Sequence, residues 1–395
     1  GLSHNDGCGI ARSEESKPLG IKMGDVFYQV KDVLEKNGVA VFSSNYNLYG
    51  DMSRRVMSLL STYTPKLDIY SIDEAFLDLT GMGDIEFLSS YCKQMVRDIT
   101  KGTGIPISLG VAPTKTLAKM ASKYAKKHKG YEGACFIDTE EKREKALKLF
   151  PVEDVWGIGY RHVKKLAYHG IHTAWDLTQR SESWIRKELT ITGVRTWKEL
   201  RGESCVSIDE PPHKKSICTS RSFSGSGLNK LADVEEAVAN FAAACSRKLR
   251  EGHIVCSSVT VFAHTSRFRI DVPQNYIYRT INLVVPTNDM QELVAVAVKT
   301  LREDWKEGGF LYKKAGVIVW NTCEDKAIQG NLFDKVNREK QAALAKAIDA
   351  INHKNGHNTI RMAVQGYSRN WHLKNEYISK QYTTNLKDII VVKAK

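Results

Sequence analysis

Apolar positions change their spacing several times along the 395 residues, and each change marks an element. From Tyr46 to Tyr63, Leu48, Met52, Val56, Leu59 and Leu60 recur at helical intervals, as on a helix with one buried face. Leu67 to Ser71 and Ala75 to Leu79 read as two short strands around Ile72-Asp73-Glu74, which predicts a hairpin. A helix over 86–100, a strand from Ile107 to Val111 and a Lys-rich helix from Lys115 to Lys127 follow. This alternation predicts an α+β sheet domain. Ahead of it, residues 1–43 are Gly-rich and mixed, with one short helix expected near Arg12 to Leu19.

Residues 138–203 carry short-looped helical patterns, and 204–215, with Pro211-Pro212 and Lys214-Lys215, read as a linker. Beyond it the pattern predicts strand (216–223), helix (230–251), strand (256–264), strand (277–285), helix (288–306) and strand (314–320). That β-α-β-β-α-β order is the split βαβ layout. A polar segment, a helix from about Glu339 to Ile351 and a polar tail complete an α+β multidomain chain.

Composition narrows the partners. Hydrophobic residues at 42% and charged residues at 26% describe a globular chain, not a disordered one. A net charge of +13 makes a polyanion the leading partner. Apolar runs such as Ile281 to Val285 are too short to cross a bilayer. No two of the eight cysteines lie within four residues, which excludes a CxxC zinc or redox site. Scattered cysteines and no basic-then-apolar opening lead to the expectation of reduced thiols in a cytoplasm.

Four clusters could carry chemistry. Asp73 and Glu74 sit together at the tip of the predicted hairpin. Adjacent anions repel, and a divalent cation relieves the repulsion while sharing its remaining positions with water and phosphate. The plain alternative is an acidic turn in solvent; Ile69, Ile72, Ala75, Phe76 and Leu77 are expected to bury the hairpin and argue against it. On the following helix, at 100° per residue, Lys115, Lys119, Lys123, Lys126 and Lys127 share one arc, opposite Leu117, Met120, Ala121, Tyr124 and Ala125. An all-Lys stripe is a phosphate-binding candidate, weighed evenly against a solvated face. Val155-Trp156-Gly157-Ile158-Gly159 before a basic helix has the form of a helix-hairpin-helix. Its glycines permit a tight turn, and backbone N–H groups can hold a DNA phosphate; the alternative is a turn used only for packing. Gln329, Leu332 and Phe333 form a QxxLF peptide in a polar stretch, similar to the bacterial sliding-clamp peptide.

Ser71-Ile72-Asp73-Glu74-Ala75-Phe76 resembles the acidic motif of the Y-family translesion DNA polymerases. The order that follows resembles them too: Lys-rich helix, helix-hairpin-helix, linker, β-α-β-β-α-β domain. Asn5-Asp6-Gly7-Cys8, Leu19 to Gly24, Ser43 to Tyr46, Asp51-Met52-Ser53, Asp154 to Gly159, Arg221-Ser222-Phe223 and Tyr382-Thr383-Thr384 are similar to segments of the UmuC branch, the catalytic subunits of DNA polymerase V and their plasmid relatives. The resemblance implies a right-hand architecture: fingers (1–43), ferredoxin-like palm (44–137), helix-hairpin-helix thumb (138–203), linker (204–215), little finger (216–322), then a clamp peptide and C-terminal region (323–395).

It implies two Mg²⁺ ions, with Asp73 and Glu74 as two of three metal-binding carboxylates and catalytic groups. Lys126 would meet the incoming triphosphate, as would Lys17 and, as a substitute cation, Arg12; Glu14 stands where many members have a Tyr. Lys115, Lys119, Lys123, Gly157, Gly159 and Arg221 would touch DNA, and Gln329, Leu332 and Phe333 the sliding clamp. Primer–template, dNTP, a UmuD-type subunit and RecA are the implied partners, and a bacterial cytoplasm, at the nucleoid when active, the implied place. The family's first strand, with the first metal-binding Asp and an aromatic steric gate, would precede Gly1. The expectation is therefore a truncated chain, from a fragment or a degraded allele. Two alternatives accompany this reading. One is a catalytically inactive protein that binds DNA and clamp. The other is a helix-hairpin-helix repair enzyme using Lys164 or Lys165, which would leave Asp73 and Glu74 without a role.

Overall fold

The computed structural model describes residues 1–206, 214–332, 334, 336–367, 371 and 373–393. They form two compact units: residues 1–44 with 211–379, and residues 45–210 with 380–395. The first unit opens with helix α1 (Phe27–Lys36). The sequence reading missed α1, although Phe27, Val30 and Leu34 have helical spacing. The helix expected near Arg12 to Leu19 is instead a 3-10 helix, Glu14–Leu19, because Pro18 lies inside it and Gly20 ends it in the left-handed region at φ +78°.

The second unit contains α2 (Tyr46–Leu60), β1 (Leu67–Ile69), β2 (Ala75–Leu77), α3 (Ile85–Thr103), β3 (Leu109–Val111), α4 (Lys115–Lys127), β4 (Ala134–Phe136) and the helices α5 (Glu140–Leu149), α6 (Tyr160–Tyr168), α7 (Ala174–Thr178) and α8 (Glu182–Leu200). Side chains cap the helices that matter most here. Asn45 accepts from Leu48 N at the start of α2, Asp84 from Phe87 N at α3 and Thr114 from Leu117 N at α4. Val56, Met57 and Leu60 of α2 pack on Met95 and Ile99 of α3. The apolar face of α4 (Leu117, Met120, Ala121) enters a separate core with Leu147, Leu166, Ile185 and Leu200, so α4 belongs to the helical layer as much as to the strands.

The palm strands form two ribbons rather than one sheet. β1 and β2 pair antiparallel, β3 and β4 pair parallel, and the two ribbons are separate sheets. The reason is a gap. β2 and β3 both line a cavity of about 830 Å³ floored by Met57, Leu60, Cys92 and Met95. Each is hydrogen-bonded to one strand among the described residues, so each keeps a free edge. β3 also presses on α4. A Cβ at Gly110 would lie 2.0 Å from the Ala118 carbonyl oxygen and 2.2 Å from Ser122 N.

In the first unit, β5 (Ser216–Ser222), α9 (Leu231–Glu251), β6 (Ile254–Thr265), β7 (Tyr276–Thr287), α10 (Met290–Asp304) and β8 (Tyr312–Glu324) follow the expected β-α-β-β-α-β order. They make one antiparallel sheet, β5-β8-β6-β7. Its inward residues, among them Val259, Val261 and Val317, bury against Val234, Phe241 and Leu249 of α9 and Leu293 and Leu301 of α10. Helix α11 (Arg338–Asn355) is tied to α9 by a bidentate Arg250–Asp349 pair at 2.6 and 2.8 Å.

A strap follows. Asn240 donates to the Gln365 carbonyl at 2.8 Å, and the Trp371 indole donates to Glu236 and packs edge-on to Phe241. The same strap then fastens residues 1–44. Glu376 N donates to the buried Asp6 carboxylate and Tyr377 N to Ser43 Oγ. The Tyr377 ring meets Phe27 edge-on, beside a small core of Leu2, Ile21, Phe27 and Leu34.

Candidate active site

The tip of the β1–β2 hairpin is closed by backbone bonds from Tyr70 N and Ser71 N to the Glu74 carbonyl, at 3.1 and 3.0 Å. Ser71 Oγ donates to Asp73 Oδ1 at 2.6 Å and fixes that carboxylate at the tip. The expected burial of the hairpin is only partly met. Ala75, Phe76 and Leu77 are half-buried, but Ile69 and Ile72 are 58% and 48% exposed. A three-residue ribbon has one covered face, and the covering comes from aromatic rings rather than from the isoleucines. Trp156 lies 5.4 Å from Tyr70 and 5.7 Å from Phe76, centroid to centroid, and its indole N–H donates to the Tyr70 hydroxyl at 3.2 Å.

Helix α4 faces this hairpin with its lysines, and three of them meet carboxylates from other elements. Lys115 Nζ sits 2.7 Å from Asp68 Oδ2 and 4.8 Å from the Phe76 centroid. Lys119 Nζ sits 2.8 Å from both carboxylate oxygens of Glu74, over the rings of Tyr70 and Trp156. Lys123 pairs with Asp154. The acids come from β1, the hairpin tip and the turn before α6, so helical spacing alone could not reveal them. Within the chain these three lysines tie the surrounding elements to α4. Lys126 and Lys127 stay exposed, in none of the ion pairs among the described residues.

Two anchors hold α4 in place. The buried Glu199 of α8 accepts from Thr116 N (2.9 Å), Cys205 N (2.8 Å) and Val206 N (3.1 Å), while Thr114 Oγ1 donates to the Glu199 carbonyl. Tyr124 donates to the Ala146 carbonyl at 2.8 Å, and burial pushes its phenol up to about 12. Sequence reasoning missed Glu199, Asp68, Asp154, Tyr70 and Trp156. Glu199 stands in the mixed stretch Val194-Arg195-Thr196-Trp197-Lys198-Glu199-Leu200, which gives no local sign of its burial.

Gly157 adopts φ +91°, which a side chain disfavours, and Gly159 is the N-cap of α6. The turn therefore presents the first N–H groups of α6 while Trp156 anchors it to the hairpin. Arg12 and Lys17 lie in the other unit. Arg12 donates to the Ile21 carbonyl at 2.7 Å, and Lys17 pairs with Glu14. Arg221 is exposed on β5, donating to its neighbour's carbonyl. Gln329 is exposed and Leu332 fully so; Phe333 lies outside the described residues.

No group of three or more His, Cys, Asp or Glu converges on one point among the described residues. Asp73 and Glu74 nevertheless offer two adjacent exposed carboxylates, and a cation already rests on one of them, the Lys119 ammonium. That donor set fits a hard divalent ion.

The fold is that of the Y-family DNA polymerases. A chimeric Y-family DNA polymerase built from Dbh and Dpo4 superposes with a TM-score of 0.60 over 78% of this chain and 86% of its own, at 19% identity, and shares the fold. Residues 2–123 match the impB/mucB/samB family and residues 214–332 that family's C-terminal domain, while 342–392 match a domain of unknown function. Protein UmuC of Salmonella typhimurium (strain LT2) is 40% identical over 99% of this chain and 93% of its own length. Protein MucB of Escherichia coli is 35% identical over 100% and 93%. The chain belongs to the impB/mucB/samB family. These alignments lend no support to the expected truncation.

Proposed function

We propose that this chain is an error-prone translesion DNA polymerase, a template-directed nucleotidyltransferase. The observation that carries the reading is the carboxylate pair Asp73-Glu74 on a hairpin held against a lysine helix, in a chain of this family. Asp73 and Glu74 would hold the divalent cations. Those ions, when bound, supply positive charge to the primer 3′-oxygen and the triphosphate. Lys126, exposed at the end of α4, is the group left to meet a triphosphate from this unit; Arg12 and Lys17 are further candidates. The Gly157–Gly159 turn and Arg221 would take DNA phosphates without reading sequence.

Gln329, Leu332 and Phe333 would recruit the sliding clamp, which the full exposure of Leu332 supports. A UmuD-type subunit, RecA and a place at the bacterial nucleoid complete the proposal. No helix among the described residues is long and apolar enough to cross a membrane. The alternative of an inactive DNA- and clamp-binding protein is not favoured, since the alignments to polymerase relatives run nearly end to end.

Primer extension with Mg²⁺ on damaged template tests the reading, using this chain. Asp73→Ala and Glu74→Ala should abolish nucleotide addition and leave DNA affinity within about twofold, because these groups hold cations and not DNA. Near-normal extension by either variant overturns the assignment.

A further inference from the structure

The cation on Glu74 belongs to the protein. Lys119 Nζ contacts both Glu74 oxygens at 2.8 Å and sits 5.1 Å and 5.3 Å from the ring centroids of Tyr70 and Trp156. The two rings are locked to each other by the indole-to-hydroxyl bond at 3.2 Å. Its neighbours on α4 are committed elsewhere, Lys115 to Asp68 and Lys123 to Asp154. One ammonium thus sits between the two Glu74 oxygens, in the position a metal bound to both of them would take.

We infer that Lys119 is a resident counter-charge that a divalent cation must displace from Glu74, so that this lysine sets the cation affinity of the site. The inference rests on the polymerase reading of Asp73 and Glu74. A carboxylate left bare beside Asp73 would suffer like-charge repulsion in the absence of metal. Lys119 relieves it and keeps the hairpin tip in place. Metal entry then requires exchange: Glu74 passes from an ammonium to a divalent ion, while Lys119 stays in its aromatic cage or swings toward solvent. Cage and ion pair both favour the metal-free state, and both are partly exposed, so each contributes modestly. Together they should lower divalent affinity about tenfold relative to a site without the lysine charge.

Trp156 makes the exchange visible. Its indole borders the ammonium, so a terbium ion on Glu74 would be sensitised by excitation of this tryptophan. The full chain is titrated with Tb³⁺ and the luminescence competed with Mg²⁺, for wild type, Lys119→Met, Lys119→Gln, Lys119→Arg, Glu74→Gln and Trp156→Phe. Lys119→Met and Lys119→Gln should bind Tb³⁺ about tenfold more tightly than wild type. Lys119→Arg should stay near wild type. The gap between wild type and Lys119→Met should shrink as salt screens the pair. Glu74→Gln and Trp156→Phe should each lose the Mg²⁺-displaceable signal. Equal or weaker affinity in both uncharged variants, with the signal still dependent on Glu74 and Trp156, overturns the role of Lys119 and leaves the cation site standing. A signal that no variant shows, or that Glu74→Gln retains, overturns the cation site itself and the inference with it.

Discussion

The two sheet-bearing regions solve the same problem by opposite means. In the β5–β8 domain, strands of seven to thirteen residues share one sheet, and side chains such as Phe223, Leu249 and Tyr312 are fully buried behind it. Around β1–β4, each strand has three residues, the two ribbons do not join, and a cavity of about 830 Å³ lies beside them. The first region is held chiefly by burial behind one continuous sheet. The second is held by polar contacts to α4: three lysine–carboxylate pairs, the buried Glu199 and one aromatic cluster. Apolar burial is non-directional and fixes a shape, whereas ion pairs with named partners fix which side chains meet. The region that carries the candidate chemistry uses the directional kind.

The largest break should come from Glu199→Ala. It leaves the N–H groups of Thr116, Cys205 and Val206 without their acceptor, and the buried one, on Thr116, costs about 1–3 kcal/mol. Hydrogen exchange should accelerate across α4 and residues 203–206 while β6 and β8 keep their protection; equal acceleration in β6 and β8 would show that the regions are not independent. Next, Gly110→Ala forces β3 off α4, an overpacking cost of about 1–3 kcal/mol. Primer extension should fall at least tenfold with DNA affinity nearly intact, and an unchanged rate would mean that the β3–α4 contact does not position the site.

Alkali should sharpen the contrast. Burial pushes the Cys92 thiol, on the cavity floor, up to about 11, and the Cys256 thiol, in the β5–β8 core, up to about 12; burial and the Asp98 carboxylate push the Tyr63 phenol up to about 12. A raised folded-state value favours the neutral form in the fold. The resulting stability is fully present below the unfolded value, 9.0 for the thiols, and is lost as pH rises to about 11 for Cys92 and about 12 for Cys256. Melting followed from pH 9 upward should therefore weaken both regions, and iodoacetamide should reach Cys92 before Cys256. The reverse order of labelling would mean that the cavity gives its floor no access. The smallest effect should be on stability in Leu332→Ala, within about 0.5 kcal/mol, because the side chain touches nothing. With Phe333→Ala added, clamp binding should nearly vanish, and a large fall in melting temperature instead would place Leu332 in a core.

The same contrast governs what could be read from the chain. The β-α-β-β-α-β domain was legible in order and nearly in bounds, because long alternating strands and 15- to 21-residue helices leave strong periodic signals. Helix α4 was legible to the residue, with Thr114 capping it and its apolar and lysine arcs opposed. The separation of the two ribbons left no mark in the pattern of β1–β4, since three residues carry almost no period and pairing is a property of two distant segments; only the resemblance implied strands left unpaired there. In the site, Asp73-Glu74 was legible as a motif. Its setting was not: Asp68, Asp154 and Trp156 reach α4 from elements whose approach no local pattern encodes. Helix α1 was within reach of the pattern but lay in a glycine-rich stretch that discouraged it.

The strap has a consequence for how the protein is made. Tyr377 lies 334 positions after Ser43, to whose hydroxyl its backbone N–H is bonded, and its ring completes the packing on Phe27. At synthesis rates of about 5–20 residues per second, residues 1–44 wait roughly 17–67 s on the ribosome for that partner. Every other core of the chain can close earlier. A ribosome that stalls after the β5–β8 domain releases a product with its sheet finished and its opening segment unfastened, an available substrate for proteases. Completion of the last few dozen residues thereby becomes a condition for the first few dozen to survive.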